Sequence, residues 1–160
     1  QEEAMKIREE LGQELVGALP LRDAILIEPY TVVRAAIAIM RTKSLGCAVI
    51  VKSGRIPCGI FTERSVLDAL VQGACLDEHP VCEFADSSFI CVSEAEPVSA
   101  VWDAIQVKGA RFVCVTDRDG RAKGLTGQRG IAEYLADCFA KQITVQRLGE
   151  KPWMCEREGA

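Results

Sequence analysis

Two stretches, Gly-Ile-Phe-Thr-Glu-Arg-Ser at 59–65 and Gly-Leu-Thr-Gly-Gln-Arg-Gly at 124–130, stand 65 residues apart and hold the side chains best suited to binding chemistry. Thr62 falls where an apolar run gives way to a helical pattern. A hydroxyl at that point lies beside backbone N–H groups that lack helical partners, an arrangement that holds phosphate or another anion. Arg64 and its counterpart Arg129 add guanidinium groups, whose planar fork suits anions. Simpler roles compete with these: Thr62 as an N-cap, and the arginines as solvated groups or partners of a neighbour such as Glu63 or Asp68.

The other reactive residues gather less well. Cys75, His79 and Cys82, with Cys91 as a possible fourth ligand, contain the types that zinc accepts. Their spacing matches no common zinc knuckle, and the alternative is a linker whose cysteines tuck under the surface. Of the eight cysteines, Cys47, Cys91, Cys114 and Cys138 sit in apolar surroundings and read as core. Cys58 and Cys155 are the candidates for thiol-based redox sensing. His79 is the single histidine and stands beside Pro80, so no acid, base and nucleophile converge. With no phosphate loop and no dinucleotide fingerprint either, the chain reads as no enzyme.

Duplication dictates the elements that must carry these residues. Val33, Ala36, Ile37 and Met40 follow helical spacing, and adding 65 gives Val98, Val101, Trp102 and Ile105, the same stripe. An apolar run follows in each half, CAVIV or FVCV, then a polar turn, KSGR or DRDGR, then a second strand that enters the duplicated stretch. Val66, Leu67 and Leu70, matched by Ile131, Ala132 and Leu135, are expected on the buried face of the closing helix. Each half reads strand, helix, strand, strand, helix, an α+β fold of two β-α-β-β-α units packed as a pseudo-two-fold pair. A unit of about 60 residues buries too little surface alone, so the pair is the domain.

Over about residues 19–138 the chain resembles a tandem pair of cystathionine-β-synthase (CBS) domains, a Bateman module. The signature Gly-Ile-Phe-Thr-Glu-Arg-Ser and the preceding Ala-Ile-x-x-Met at 36–40 carry the resemblance. It implies a regulatory module without catalysis of its own, binding adenosine-containing ligands such as AMP, ADP, ATP or S-adenosylmethionine between the repeats and pairing as disk-like dimers. In the family signature an Asp follows three positions after the Thr and accepts hydrogen bonds from the ribose hydroxyls. Here Ser65 takes that position, and in the second half Gly127 replaces the Thr and Gly130 the Asp. Thr62, Arg64, Ser65 and Arg129 are therefore the candidate ligand residues. Two readings follow: a module sensing an adenine nucleotide or related anion, or a ligand-free dimerisation or protein-interaction platform with degenerate sites.

Composition narrows the rest. With 160 residues, 49% apolar content and a net charge of −4 without any basic run, the chain has a globular composition and no face for nucleic acid. No run approaches the ~20 apolar residues of a membrane span, and a cytoplasmic location is expected. The expected organisation is an N-terminal amphipathic helix at 1–18, repeats at 19–71 and 89–138, a linker at 72–88 and a tail at 139–160; the lead-in strand of the second repeat could begin near 81. Ala4, Ile7, Leu11 and Leu15 line one face of the first helix, facing the module itself or a second subunit. In the tail, ITVQ alternates, and Trp153 and Met154 would be costly to expose together. The expected partners are a second copy, an adenine nucleotide and an effector protein of unknown identity.

Overall fold

The computed structural model of the chain describes residues 1–86 and 89–149. Helix α1 (Glu2–Leu11) precedes two units of the same order: β1 (Ile25–Ile27), α2 (Val33–Lys43), β2 (Cys47–Lys52), β3 (Ile56–Thr62), α3 (Glu63–Val71), and then β4 (Ile90–Ser93), α4 (Val98–Gln106), β5 (Val113–Thr116), β6 (Ala122–Thr126), α5 (Gln128–Gly149). Each unit forms a three-stranded sheet in chain order, its first pair parallel and its second antiparallel. This is the duplicated α+β architecture that the spacing predicts.

The repeat extends to backbone detail. The hairpins bulge at Ile50/Val51 and at Val115/Thr116, positions 65 apart. Ser44 and Gly109, also 65 apart, both take left-handed backbone after the first helix of the unit, where the chain must turn sharply into the next strand. Short 3-10 turns at Val16–Ala18 and Val81–Phe84 occupy matching places upstream. Val16 N–H donates to the Glu96 carbonyl and Val81 N–H to the Thr31 carbonyl, each at 2.8 Å. The duplication thus reaches further upstream than residue 19.

Each upstream segment crosses to one sheet edge. Arg22 forms a bridge with Leu125 of β6, and Asp86 forms one with Ile60 of β3. Val81 and Phe84 pack in the core of the first repeat, whereas Leu11, Val16 and Leu19 pack in that of the second. A third apolar layer, including Val49, Val51 and Ile60 from one sheet and Cys114, Ala122 and Leu125 from the other, joins the two faces that neither helix layer covers. The pairing is therefore a shared core.

Several expectations need correction. Leu67 and Leu70 are 61% and 55% exposed; the face of α3 turned inward carries Ser65 and Ala69, because the sheet lies on that side. Leu15 lies beyond α1, which ends at Leu11. That helix packs on α4 of its own chain, with Ile7 and Leu11 in the second core and Arg8 paired bidentately to Asp103 at 2.9 and 3.1 Å. Cys91 is exposed, since β4 is an edge strand, and Cys75 and Cys82 are exposed rather than tucked in. The ITVQ segment continues α5, so its alternation marks no strand. Trp153, Met154 and Cys155 lie outside the described residues. Among the described residues, no helix is long and apolar enough to cross a membrane.

Candidate functional site

Thr62 ends β3 and caps α3. Its Oγ1 accepts from Ser65 N–H at 3.4 Å, while Ser65 Oγ accepts from Thr62 N–H at 3.1 Å, a reciprocal capping box. Ser65 is only 2% exposed. The residue standing in place of an Asp is thus built into the helix start, and its hydroxyl is already engaged by the backbone.

Next to this cap opens a first cleft of about 330 Å³, lined by Ile60, Thr62, Arg64, Asp86, Lys108 and Arg111 among others. A second lobe of about 360 Å³ shares Thr62, Arg64 and Asp86 and adds Ser65 and Asp68. Arg64 is exposed and makes no hydrogen bond or ion pair among the described residues. It does not pair with Glu63 or Asp68. The cleft therefore holds three cationic side chains beside the start of α3, with Asp86 in the same cleft and Asp68 in the adjoining lobe.

A second cleft of about 440 Å³ lies at the matching place in the other half, lined by Arg22, Cys47, Arg111, Leu125, Gly127 and Arg129 among others. Arg111 borders both clefts and lies 5.2 Å over the Phe112 ring. Arg129 is engaged along its own helix, its Nε donating to Glu133 Oε1 at 3.2 Å. Burial pushes the Cys47 thiol up to about 12, which leaves it an inert wall.

The glycines of the second cleft reflect close approach. A Cβ at Gly127 would lie 2.8 Å from the Arg111 carbonyl oxygen, and one at Gly130 would lie 2.3 Å from Thr126 Oγ1. Thr126 is 5% exposed, and its hydroxyl has no hydrogen-bond partner among the described residues. The space that a carboxylate at 130 would need is thus held by a neighbouring side chain.

Of the four candidate residues, Thr62, Arg64 and Ser65 come together at the first cleft and Arg129 stands at the second. Sequence reasoning missed Arg22, Asp86, Lys108 and Arg111. Arg22 and Asp86 could have been found from their near-repeat spacing of 64, whereas Arg111 reaches both clefts only through tertiary packing. The proposed metal ligands do not assemble: among the described residues no three His, Cys, Asp or Glu side chains are grouped for a metal. His79 Nδ1 lies 2.6 Å from Glu83 Oε2.

Two clefts related by an internal pseudo-two-fold, each at a strand-to-helix junction, define the architecture: a duplicated β-α-β-β-α unit with one cleft per repeat. Residues 16–72, which span the first repeat, match the model of the CBS domain. No significant match exists among curated proteins. A CBS domain protein from Pyrobaculum aerophilum complexed with AMP is similar in fold, with 23% identity and a TM-score of 0.66 over 77% of this chain and 98% of that one. The CBS domain pair of the protein MJ0100, in complex with 5′-methylthioadenosine and S-adenosyl-L-methionine, aligns at 21% identity and a TM-score of 0.64 over 77% of this chain and 96% of that one. A CBS domain-containing protein of unknown function from Bacillus anthracis aligns at 14% identity and a TM-score of 0.68, covering 81% and 98%.

Proposed function

We propose that the chain is a regulatory module that performs no catalysis and holds an adenine nucleotide or a related anion in the first cleft. The observation that carries this reading is Arg64, without a partner among the described residues, beside the Thr62-capped start of α3, in a cleft that Lys108 and Arg111 also face. Ser65 supplies no carboxylate for a ribose, but Asp68 lies one helical turn further on and Asp86 faces it across the same lobe. Either can accept from a hydroxyl donor. The fold relatives that carry AMP or S-adenosylmethionine support an adenosine ligand. His79, held near Glu83, lines neither cleft, which supports a non-catalytic role.

Isothermal titration of AMP, ADP, ATP and S-adenosylmethionine tests the reading, with Arg64→Ala as control. Micromolar binding that Arg64→Ala abolishes is the expected result. A second reading, an interaction platform without ligand, draws on Gly127 and Gly130 and on the engagement of Ser65 in its cap. It is favoured if no nucleotide binds the wild type while Ser65→Asp creates binding. We further propose a homodimer, supported by the exposed Leu67, Leu70 and Val71 on α3, acting on an effector protein. Exposed free thiols at Cys58, Cys75, Cys82 and Cys91 suit a reducing compartment, and we place the protein in the cytoplasm.

A further inference from the structure

Cys91 of β4 and Cys114 of β5 are direct partners in the parallel register. Adjacent strands lie ~4.8 Å apart, within the Cα separation of roughly 4.4–6.8 Å that a disulfide accepts. Directly opposed in the register, the two side chains leave the sheet on the same face. Cys91 is exposed on the edge strand, whereas Cys114 lies buried in the layer between the repeats. Cys91 is thus the exposed member of the pair and Cys114 the buried one beside it.

We propose that Cys91 and Cys114 form a reversible disulfide, with Cys91 as the entry thiol and Cys114 as the resolving thiol. The oxidant is a small disulfide of the oxidised-glutathione type. The Cys91 thiolate attacks one glutathione sulfur, a mixed disulfide forms and one glutathione thiolate leaves. Cys114 then attacks the Cys91 sulfur and the second glutathione thiolate leaves. The S–S bond of glutathione is broken and that between the two cysteines is made. Two electrons pass to glutathione, and the two protons shed by the protein thiols end on its two thiolates.

The local chemistry fits this order. The hydrogen bond from Cys114 holds the Cys91 thiol below its ordinary range against the opposing effect of burial. Cys114 is pushed up, first because it keeps the proton it shares with Cys91 and then by burial. Capture of Cys91 by glutathione removes the negative charge that retains that proton, while burial remains, so resolution is the slower step. Cys58 lacks this arrangement: its thiol donates instead to the Ile50 carbonyl at 3.4 Å.

The test treats the full chain with oxidised glutathione and follows intact mass and cysteine-containing peptides. In the wild type the expected product is lighter by about two mass units, with a peptide joining Cys91 to Cys114 that dithiothreitol separates. Cys114→Ala should stop at a glutathione adduct on Cys91. Cys91→Ser, a conservative change on the exposed edge, should keep its circular dichroism and lose the link. A persistent glutathione adduct on Cys91 in the wild type overturns the proposal. So does linkage that survives Cys91→Ser, or glutathione reacting at Cys58 or Cys75 while Cys91 stays reduced.

Discussion

At the scale of single residues, the first cleft exchanges binding strength for a helix start. Ser65 Oγ and Thr62 Oγ1 each satisfy a backbone N–H that the helix cannot. Ser65→Ala should therefore lower stability by about 1 kcal/mol, seen as a reduced urea midpoint with unchanged slope. Ser65→Asp introduces the acceptor that a ribose needs, and two charge-assisted bonds at ~1.5 kcal/mol each correspond to about a hundredfold in affinity. Repulsion from Asp68 and Asp86 opposes part of this, so AMP binding should tighten by at least ~tenfold in titration. An unchanged affinity would mean that the ribose does not reach position 65. The second cleft should respond differently, because Thr126 Oγ1 occupies the space of a Cβ at Gly130. Gly130→Ala should destabilise by roughly 1–3 kcal/mol. Thr126→Ala alone should be near neutral, since it removes a buried hydroxyl that has no partner among the described residues. The double variant should recover most of the loss, and simple additivity in that cycle would show that the two side chains do not compete.

At the scale of elements, legibility followed periodicity. The stripe Val33, Ala36 and Met40 and its repeat Val98, Val101 are buried as their spacing requires, and the hairpins fall where the polar turns place them. The closing helix was misread in part: Val66 packs against the first core as its spacing requires, whereas Leu67 and Leu70 extend the apolar stripe without facing that core. Amphipathicity shows that a face needs covering and leaves the covering surface unspecified. The 3-10 turns escaped notice because four residues are too short for a period, although Val16 and Val81 stand 65 apart. At the site, Thr62 and Arg64 were legible from the local junction, whereas Arg111 and Asp86 arrive from other elements. The attachment of α1 is a matter of this scale as well. Arg8 holds Asp103 below the ordinary carboxylate range, chiefly through their hydrogen bonds. A carboxyl depressed in the folded state stabilises above its unfolded pKa, and that contribution disappears as pH falls through the lower folded value. Amides of α1 should therefore exchange faster in acid than at neutral pH once intrinsic rates are removed, and Arg8→Ala should abolish that difference. Both groups face solvent, so the effect belongs to the docking of α1 and should leave global unfolding nearly unchanged.

For the whole molecule, two half-sized cores close around a third layer, and the outer helices form two related apolar grooves. One runs between α2 and α3 past Ile37, Met40, Val66 and Leu67; the other runs between α4 and α5 past Trp102, Ile105, Ile131 and Leu135. Leu70 and Val71, further along the same helix as Leu67, are exposed as well. A stripe of this kind on a helix would be expected to associate, and an internal two-fold allows a second copy to meet both grooves with one closed, self-complementary contact. Sedimentation of the wild type should give the mass of two chains at micromolar concentration. Leu67→Arg with Leu70→Arg should give a single chain with unchanged circular dichroism, because neither side chain supports the core. The clefts open at the starts of α3 and α5, the helices that carry these grooves. If α3 lies in the dimer contact, an anion bound at its start and the second copy bind linked surfaces of one element. The monomeric variant should then bind AMP with altered affinity although it retains Thr62, Arg64 and Ser65, and by reciprocity AMP should shift the dimer equilibrium by the same factor. Equal affinity in monomer and dimer would separate assembly from sensing and leave the relative motion of the two repeats as the route by which a bound ligand is read.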